Sequence, residues 1–402
     1  MAVKRKTLAE RKKLIGDAIK DINKAAGITV IGTLNDEDIA EKLVIEYIPT
    51  PSLRVNEATG GGIPRSKYTL VAGNPDSGKT MLMLETIAHN LKNDPDFTGC
   101  WVESENSLES TSIKMFGITD EDLKDRFIFM NTDDMTAEEV LDYVIRMAYT
   151  GVDMIVINSL KCLTPTKEFQ NDMKDDTVAL QARVNSKFMR KVIPIIASSG
   201  TALVTIQHYS TNIGGGPRAG ALIGGGKQIR YNNVLTLELS KGFMDAKDML
   251  YSVKDQYMMI DLKVTKNHCI TDRNTYVKIG YYVKYGSGID RNPEIIDAVF
   301  SSGIVEKKGA WIREYNANGE KEKGNERILP DGTVAKWNGL AAFMNYIEVH
   351  PEYFEYLKSK VEGNYAVEDL PEDEVKQLKE QAENEAQEME ELEAMIDETI
   401  TE

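Results

Sequence analysis

The ten residues VAGNPDSGKT, Val71 to Thr80, carry the most specific chemistry in the chain. Gly73, four residues, then Gly78-Lys79-Thr80 is the spacing G-x-x-x-x-G-K-[ST]. Glycine at both ends lets the run Gly73, Asn74, Pro75, Asp76, Ser77, Gly78 curl into a concave nest of backbone N–H groups at a helix N-terminus. Such a nest holds phosphate. Lys79 then reaches the β- and γ-phosphates of a bound nucleotide, and the Thr80 hydroxyl ligates Mg²⁺.

Three more short stretches end in polar groups that suit a nucleotide-hydrolysing site. WVESE ends in Glu103 and Glu105, two apart and expected on one face. MIVIN ends in Asn158, and LVTIQH ends in Gln207 and His208. Glu105 is the expected base that orients and deprotonates the attacking water, its alternative being a structural carboxylate that caps the next helix. Gln207 is the expected sensor of the γ-phosphate. Asn158 stands where an Asp normally holds Mg²⁺ through water. Either hydrolysis is impaired, or Glu103 from the adjacent strand compensates at the metal; the sequence leaves both open. After Gln207, STNIGGGPRAGALIGGGKQIR combines seven glycines with Arg218, Lys227, Arg230 and isolated apolar Ile213 and Leu222. Cations for phosphates and apolar wedges between bases fit single-stranded DNA, against the alternative of a plain surface loop. Nucleotide could order this loop and so link binding to grip.

These residues need a scaffold that brings strand ends together. The strand before Gly73 (Tyr68 to Ala72) and the helix after Thr80, apolar at Met81, Leu84, Ile87, Ala88 and Leu91, begin an alternation of strands and helices. Its continuous apolar strands predict a mostly parallel sheet covered on both faces, with ligand at the carboxyl ends. The last strands alternate more and predict an antiparallel extension. Residues 1–47 read as a basic amphipathic helix and linker suited to docking on a neighbour, 48–325 as the core, 326–367 as a small helical piece, and 368–402 as an acidic tail. The tail holds fifteen Asp/Glu and two Lys, hence −13 of the formal −16, and the remaining 367 residues sum to −3. Overall acidity therefore does not exclude a nucleic-acid partner. The tail is either a solubility device or an intramolecular mimic of a polyanion. Three cysteines without paired spacing predict neither a disulfide framework nor a cysteine metal site. No apolar run spans a membrane, no signal-peptide core is present, and the chain reads as cytoplasmic.

Taken together, VAGNPDSGKT, WVESENSLES, VDMIVINSLKCLTP, LQARVNSKFMRKV, VTIQH, LKVTKNH and GSGIDRNPEIIDAVFSSGIVEKKGAWI resemble the RecA-type recombinases of bacteria, with the UvsX recombinases of T4-like phages similar too. The resemblance runs from about Ile48 to Val361. It implies an α/β RecA-like P-loop ATPase core, ATP and Mg²⁺ as cofactors, and ATP bound between neighbours of a helical filament on single-stranded DNA. Homologous duplex DNA is then the second substrate, with single-strand binding and mediator proteins as accessory partners, in a bacterial cell or encoded by a phage. Lys266 and His268 fall where the family presents two cations to a neighbour's γ-phosphate, and Tyr285 falls near the adenine. Two polar stretches fall where the family has DNA-binding loops, placing Lys167, Met173 and Arg183 at the first and Ile213, Arg218, Leu222, Lys227 and Arg230 at the second. Three positions depart from the family: Asn158 for Asp, His268 for Lys or Arg, and Ser112 for an aromatic near adenine. The expected function is ATP-driven homologous pairing and strand exchange. A ring helicase of the same fold, or an ATP-binding filament scaffold with weak hydrolysis, are the alternatives.

Overall fold

The computed structural model describes residues 6–33, 35–36, 39–40, 43–170, 180–210, 222–224, 227–242, 257–270, 277–316 and 324–367. Its strands are β1 (Tyr47–Ile48), β2 (Ile63–Pro64), β3 (Tyr68–Gly73), β4 (Gly99–Glu103), β5 (Phe127–Asn131), β6 (Met154–Asn158), β7 (Ala202–Ser210), β8 (Leu222–Ile223), β9 (Leu235–Lys241), β10 (Tyr257–Asn267), β11 (Val277–Lys284), β12 (Gly288–Ile289), β13 (Val305–Lys308), β14 (Trp311–Glu314) and β15 (Lys336–Asn338). Its helices are α1 (Leu8–Ala26), α2 (Leu53–Thr59), α3 (Lys79–Asn93), α4 (Ser110–Met115), α5 (Asp122–Asp125), α6 (Ala137–Tyr149), α7 (Thr166–Gln170), α8 (Leu180–Ser199), α9 (Lys227–Asn232), α10 (Asn292–Ser301), α11 (Leu340–Val349) and α12 (Pro351–Val367). The chain forms two compact units. One holds the residues up to Phe243 with Met258–Ile289, and the other holds 244–257 with everything from Asp290 on.

In the first unit the strand order is β12-β11-β10-β9-β3-β7-β6-β4-β5, with β8 beside β7. The six strands from β9 to β5 run parallel. β10 is antiparallel to β9, and β12 to β11. This is the expected α/β sheet with its antiparallel extension. All six residues of β3 are buried, because helices cover both faces. Alternate strand residues enter two separate cores. Val71, Trp101, Val156, Val204 and Ile206 pack with Leu82, Met83 and Ile87 of α3. Leu70, Val102, Ile155, Ile157 and Leu203 pack instead with Val140 and Val144 of α6 and with Phe188 and Val192 of α8. That parity decides which face each polar strand-end residue occupies. Thr136 opens α6 as predicted, in a reciprocal capping box with Glu139.

One buried acid ties α3 to the sheet edge. Glu85 accepts a hydrogen bond from the Ile289 N–H at 2.7 Å, and a Cβ at Gly288 (φ 86°) would run into its carboxylate. Burial pushes the Glu85 pKa up to about 7, with the Ile289 N–H acting in the opposite direction. A folded-state pKa above the unfolded one means full stability below about pH 4.5, lost as pH rises through about 7. Glu85→Gln should therefore gain on the natural chain between pH 5 and pH 9, by something on the order of 2–3 kcal/mol. Melting temperatures of both proteins at pH 5, 7 and 9 check this. A difference that does not vary with pH would mean that Glu85 does not titrate in that range.

The second unit differs from the expected helical piece. α10, α11 and α12 accompany an antiparallel sheet, β13-β14-β15. From Asp290 on the chain belongs to this unit, which therefore takes in residues expected in the core and is α+β. Trp337 of β15 packs edge-on against Phe343 of α11 with ring centroids 4.9 Å apart. The buried Glu314 carboxylate accepts from Tyr353 Oη (2.7 Å), Tyr356 Oη (2.8 Å) and Arg327 (3.1 Å). No helix among the described residues is long and apolar enough to cross a membrane.

Candidate functional site

The loop between β3 and α3 has the shape that its glycines predict. Gly78 caps α3 in the left-handed region, φ 89°. A Cβ at Gly73 would collide with the Leu239 carbonyl oxygen and Ser77 Oγ. Asn74, Pro75 and Asp76 form the exposed rim, while Ser77 and Lys79 are buried. Lys79 Nζ donates to the Asn74 carbonyl oxygen at 2.7 Å, folding the ammonium back over its own loop. Burial holds Lys79 below the usual lysine range, and the nearby charges of Glu105 and Asp76 oppose that shift. Thr80 follows in the first turn of α3, half-buried.

The two carboxylates after β4 are separated rather than paired. β4 ends at Glu103, and Glu105 lies beyond the strand. Glu103 is buried and saturated with donors. Its Oε2 accepts from Trp101 Nε1 (2.8 Å) and Asn158 Nδ2 (3.1 Å), and its Oε1 from Glu105 N (3.1 Å), Ser107 N (3.2 Å) and Ser107 Oγ (3.1 Å). Five donors occupy the lone pairs that a metal would need, which corrects the expectation of Glu103 as a metal-side group. Glu105 is half-buried, and its Oε1 accepts from Ser159 Oγ at 2.6 Å and lies 3.1 Å from His208 Nε2. Cys162 Sγ is 3.9 Å from the same oxygen.

Strand parity also corrects the sensor. His208 shares the α3 face with Val204 and Ile206, opposite Gly73 in the ladder. Gln207 falls on the other face with Leu203, fully buried and with neither amide atom hydrogen-bonded among the described residues. The polar group beside Glu105 is therefore His208. The sequence reading missed His208 as a partner of Glu105, and it missed Ser159 as well. Asn158 lies on the α3 face too, in register with Glu103. Its Oδ1 is buried without a partner among the described residues.

A glycine-turned loop, a carboxylate held by histidine and serine, and an amide with an unpartnered buried acceptor thus sit at the carboxyl ends of adjacent parallel strands. The family model of the RecA N-terminal domain matches residues 13–290. The chain belongs to the RecA family. It is similar to RecA of Thermotoga sp. (strain RQ2), 27% identical over 383 residues that cover 94% of this chain and 98% of that protein. RecA 1 of Myxococcus xanthus is 28% identical over 371 residues, 90% of this chain and 97% of that protein. RecA of Francisella tularensis subsp. novicida is 30% identical over 319 residues, 77% and 82% of the respective chains.

Lys266 Nζ donates to the carbonyls of Arg230 (3.3 Å) and Tyr231 (3.2 Å) at the end of α9 and to Asn233 Oδ1 (3.1 Å). Burial lowers its pKa. His268 is exposed just past β10. Tyr285 is exposed in the turn from β11 to β12. Lys167 on α7, Arg183 on α8 and Arg230 on α9 are exposed. Lys227 opens α9, and Leu222 pairs with Ser210 in the β7–β8 ladder. Met173, Ile213, Arg218 and the acidic tail lie outside the described residues.

Proposed function

We propose that this RecA-family protein is a DNA-dependent ATPase that forms a helical filament on single-stranded DNA and catalyses homologous pairing and strand exchange. The observation that carries the ATPase part is Glu105, half-buried beside Lys79's loop with its carboxylate held by Ser159 and His208. In this reading Gly73 to Thr80 cradle the phosphates of ATP, and Thr80 with Asn158 Oδ1 would hold Mg²⁺ and its water. The vacant buried acceptor on Asn158 fits that group. The metal's contribution is to neutralise charge on the phosphates. Glu105 orients and deprotonates the water, and His208 keeps the carboxylate aimed. Lys266 and His268 would meet the nucleotide of a neighbouring copy, and Tyr285 its adenine. The exposed cations Lys167, Arg183 and Arg230, with Lys227, would grip the DNA backbone. Single-strand binding and mediator proteins are proposed as accessory partners.

Assembly is supported by α1. Thr7 and Glu10 form a capping box, Gly27 closes the helix, and no residue between is buried. Leu8, Ile15 and Ile22 recur every seven residues at 62%, 57% and 45% exposure. An exposed apolar stripe on a helix flanked by lysines and arginines suits burial against a second copy of the chain. Ile15→Asp with Ile22→Asp should abolish filaments while leaving ATP binding by the monomer intact. Electron microscopy with single-stranded DNA and ATP reads the first, and a fluorescent ATP analogue the second. Filaments of unchanged length would remove α1 from the interface, and closed rings in place of filaments would favour a helicase.

A further inference from the structure

We infer that Glu103 and Asn158 act as one positioning pair, in which a buried carboxylate aims the amide oxygen of Asn158 at metal-bound water without touching the metal itself. The inference rests on the ATPase reading and adds to it the reason that an amide, rather than a carboxylate, stands at position 158.

Every neighbour of the Glu103 carboxylate is a donor: an indole N–H, an amide, two backbone N–H groups and a hydroxyl. Such a site gives the two carboxylate oxygens five donors and no acceptor. The amide of Asn158 has no freedom in that company. Its Nδ2 must face Glu103 Oε2 at 3.1 Å, so its Oδ1 faces away, and that atom is the one left buried and unpartnered among the described residues. Asn158 is fully buried, Glu103 is 2% exposed, and the two are opposite each other in the β4–β6 ladder. An Asp at that position would set two acceptor oxygens against each other in an enclosed place, with the donor between them lost. The same Glu103, through Oε1, holds the backbone of Glu105 and Ser107. One buried carboxylate therefore fixes both the acceptor on the metal side and the turn that presents the carboxylate on the water side.

The test uses the full chain with Glu103→Gln, Asn158→Asp and the double variant. Two quantities are read: the melting temperature without nucleotide, and the Mg²⁺ concentration for half-maximal binding of a fluorescent ATP analogue. Glu103→Gln turns an NH₂ toward Asn158 Nδ2, so the amide must flip and present its own NH₂ to the metal side. The Mg²⁺ requirement should rise about tenfold or more, the range for outer-shell partners of a metal. Asn158→Asp alone should lower the melting temperature by about 5 °C or more. In the double variant the introduced amide donates to the introduced carboxylate, restoring one donor and one acceptor with their places exchanged. Both quantities should then return most of the way to those of the natural chain. A structural role for Asn158 alone would leave the Mg²⁺ requirement of Glu103→Gln unmoved, and that result overturns the inference. So do effects that simply add in the double variant, or a double variant no more stable than the single variants, including the case where none of them folds. Failure of the natural chain to bind the analogue at any Mg²⁺ concentration would instead overturn the ATPase reading.

Discussion

Glu105→Gln is expected to bind ATP as the natural chain does and to turn it over ~10²-fold or more slowly. The amide has nearly the shape of the carboxylate, so Ser159 Oγ, 2.6 Å from Oε1, and His208 Nε2, 3.1 Å away, can keep their places around it. It cannot take a proton from water. Ser159 donates to that oxygen, and His208 donates in the tautomer that carries its proton on Nε2. The pair orients the group without supplying a base. Glu103 cannot take over, because donors already occupy both of its carboxylate oxygens and it is buried away from solvent. Steady-state turnover with and without single-stranded DNA, beside binding of a fluorescent ATP analogue, separates the two properties. Full turnover by the variant would move the base elsewhere in the site. His208→Ala should fall between the natural chain and Glu105→Gln, since it frees the carboxylate but leaves its basicity in place.

Glu105 was legible in the sequence and His208 was not, and the sheet explains the difference. The phosphate loop announces itself through spacing alone, because glycine and lysine at those intervals are required by backbone geometry and charge. The parallel core was legible too, since its strands are apolar from end to end. That same property hides the facing of their last residues. In β7 both Ile206 and its neighbours on the opposite face are buried, so no polar alternation tells which of Gln207 and His208 turns toward α3. Only the pairing of Gly73 with His208 decides it. Glu103 and Glu105 mislead for a related reason. Counting them as one strand put both on one face, but β4 stops at Glu103, whose carboxylate then accepts from the backbone of Glu105. The strands β13 to β15 went unseen because they are only three or four residues long and rich in Lys and Glu. Their burial comes from Trp337 and the helices behind them, which is tertiary context that a short window does not contain.

Lys79→Ala should weaken nucleotide binding at the source. The ammonium is buried, held below its usual pKa by that burial, with the Asn74 carbonyl as its nearest partner at 2.7 Å. One carbonyl is poor compensation for a charge withdrawn from water, so Lys79 is poised to exchange it for phosphate oxygens. A charge-assisted contact of this kind contributes about 1.5–3 kcal/mol, and its loss weakens binding by at least ~10-fold and by ~10²-fold at the upper end. The sharper readout is stability. A ligand at one hundred times its Kd stabilises the folded state by about 2.7 kcal/mol, so ATP with Mg²⁺ should raise the melting temperature of the natural chain and raise that of Lys79→Ala by about half as much or less at the same concentration. Without nucleotide the variant should melt no lower than the natural chain, because the substitution takes away a buried charge with little to hold it. That pairing of results separates a lost ligand contact from a damaged fold. An ATP-induced rise of equal size in both proteins would place the nucleotide somewhere other than the loop from Gly73 to Thr80.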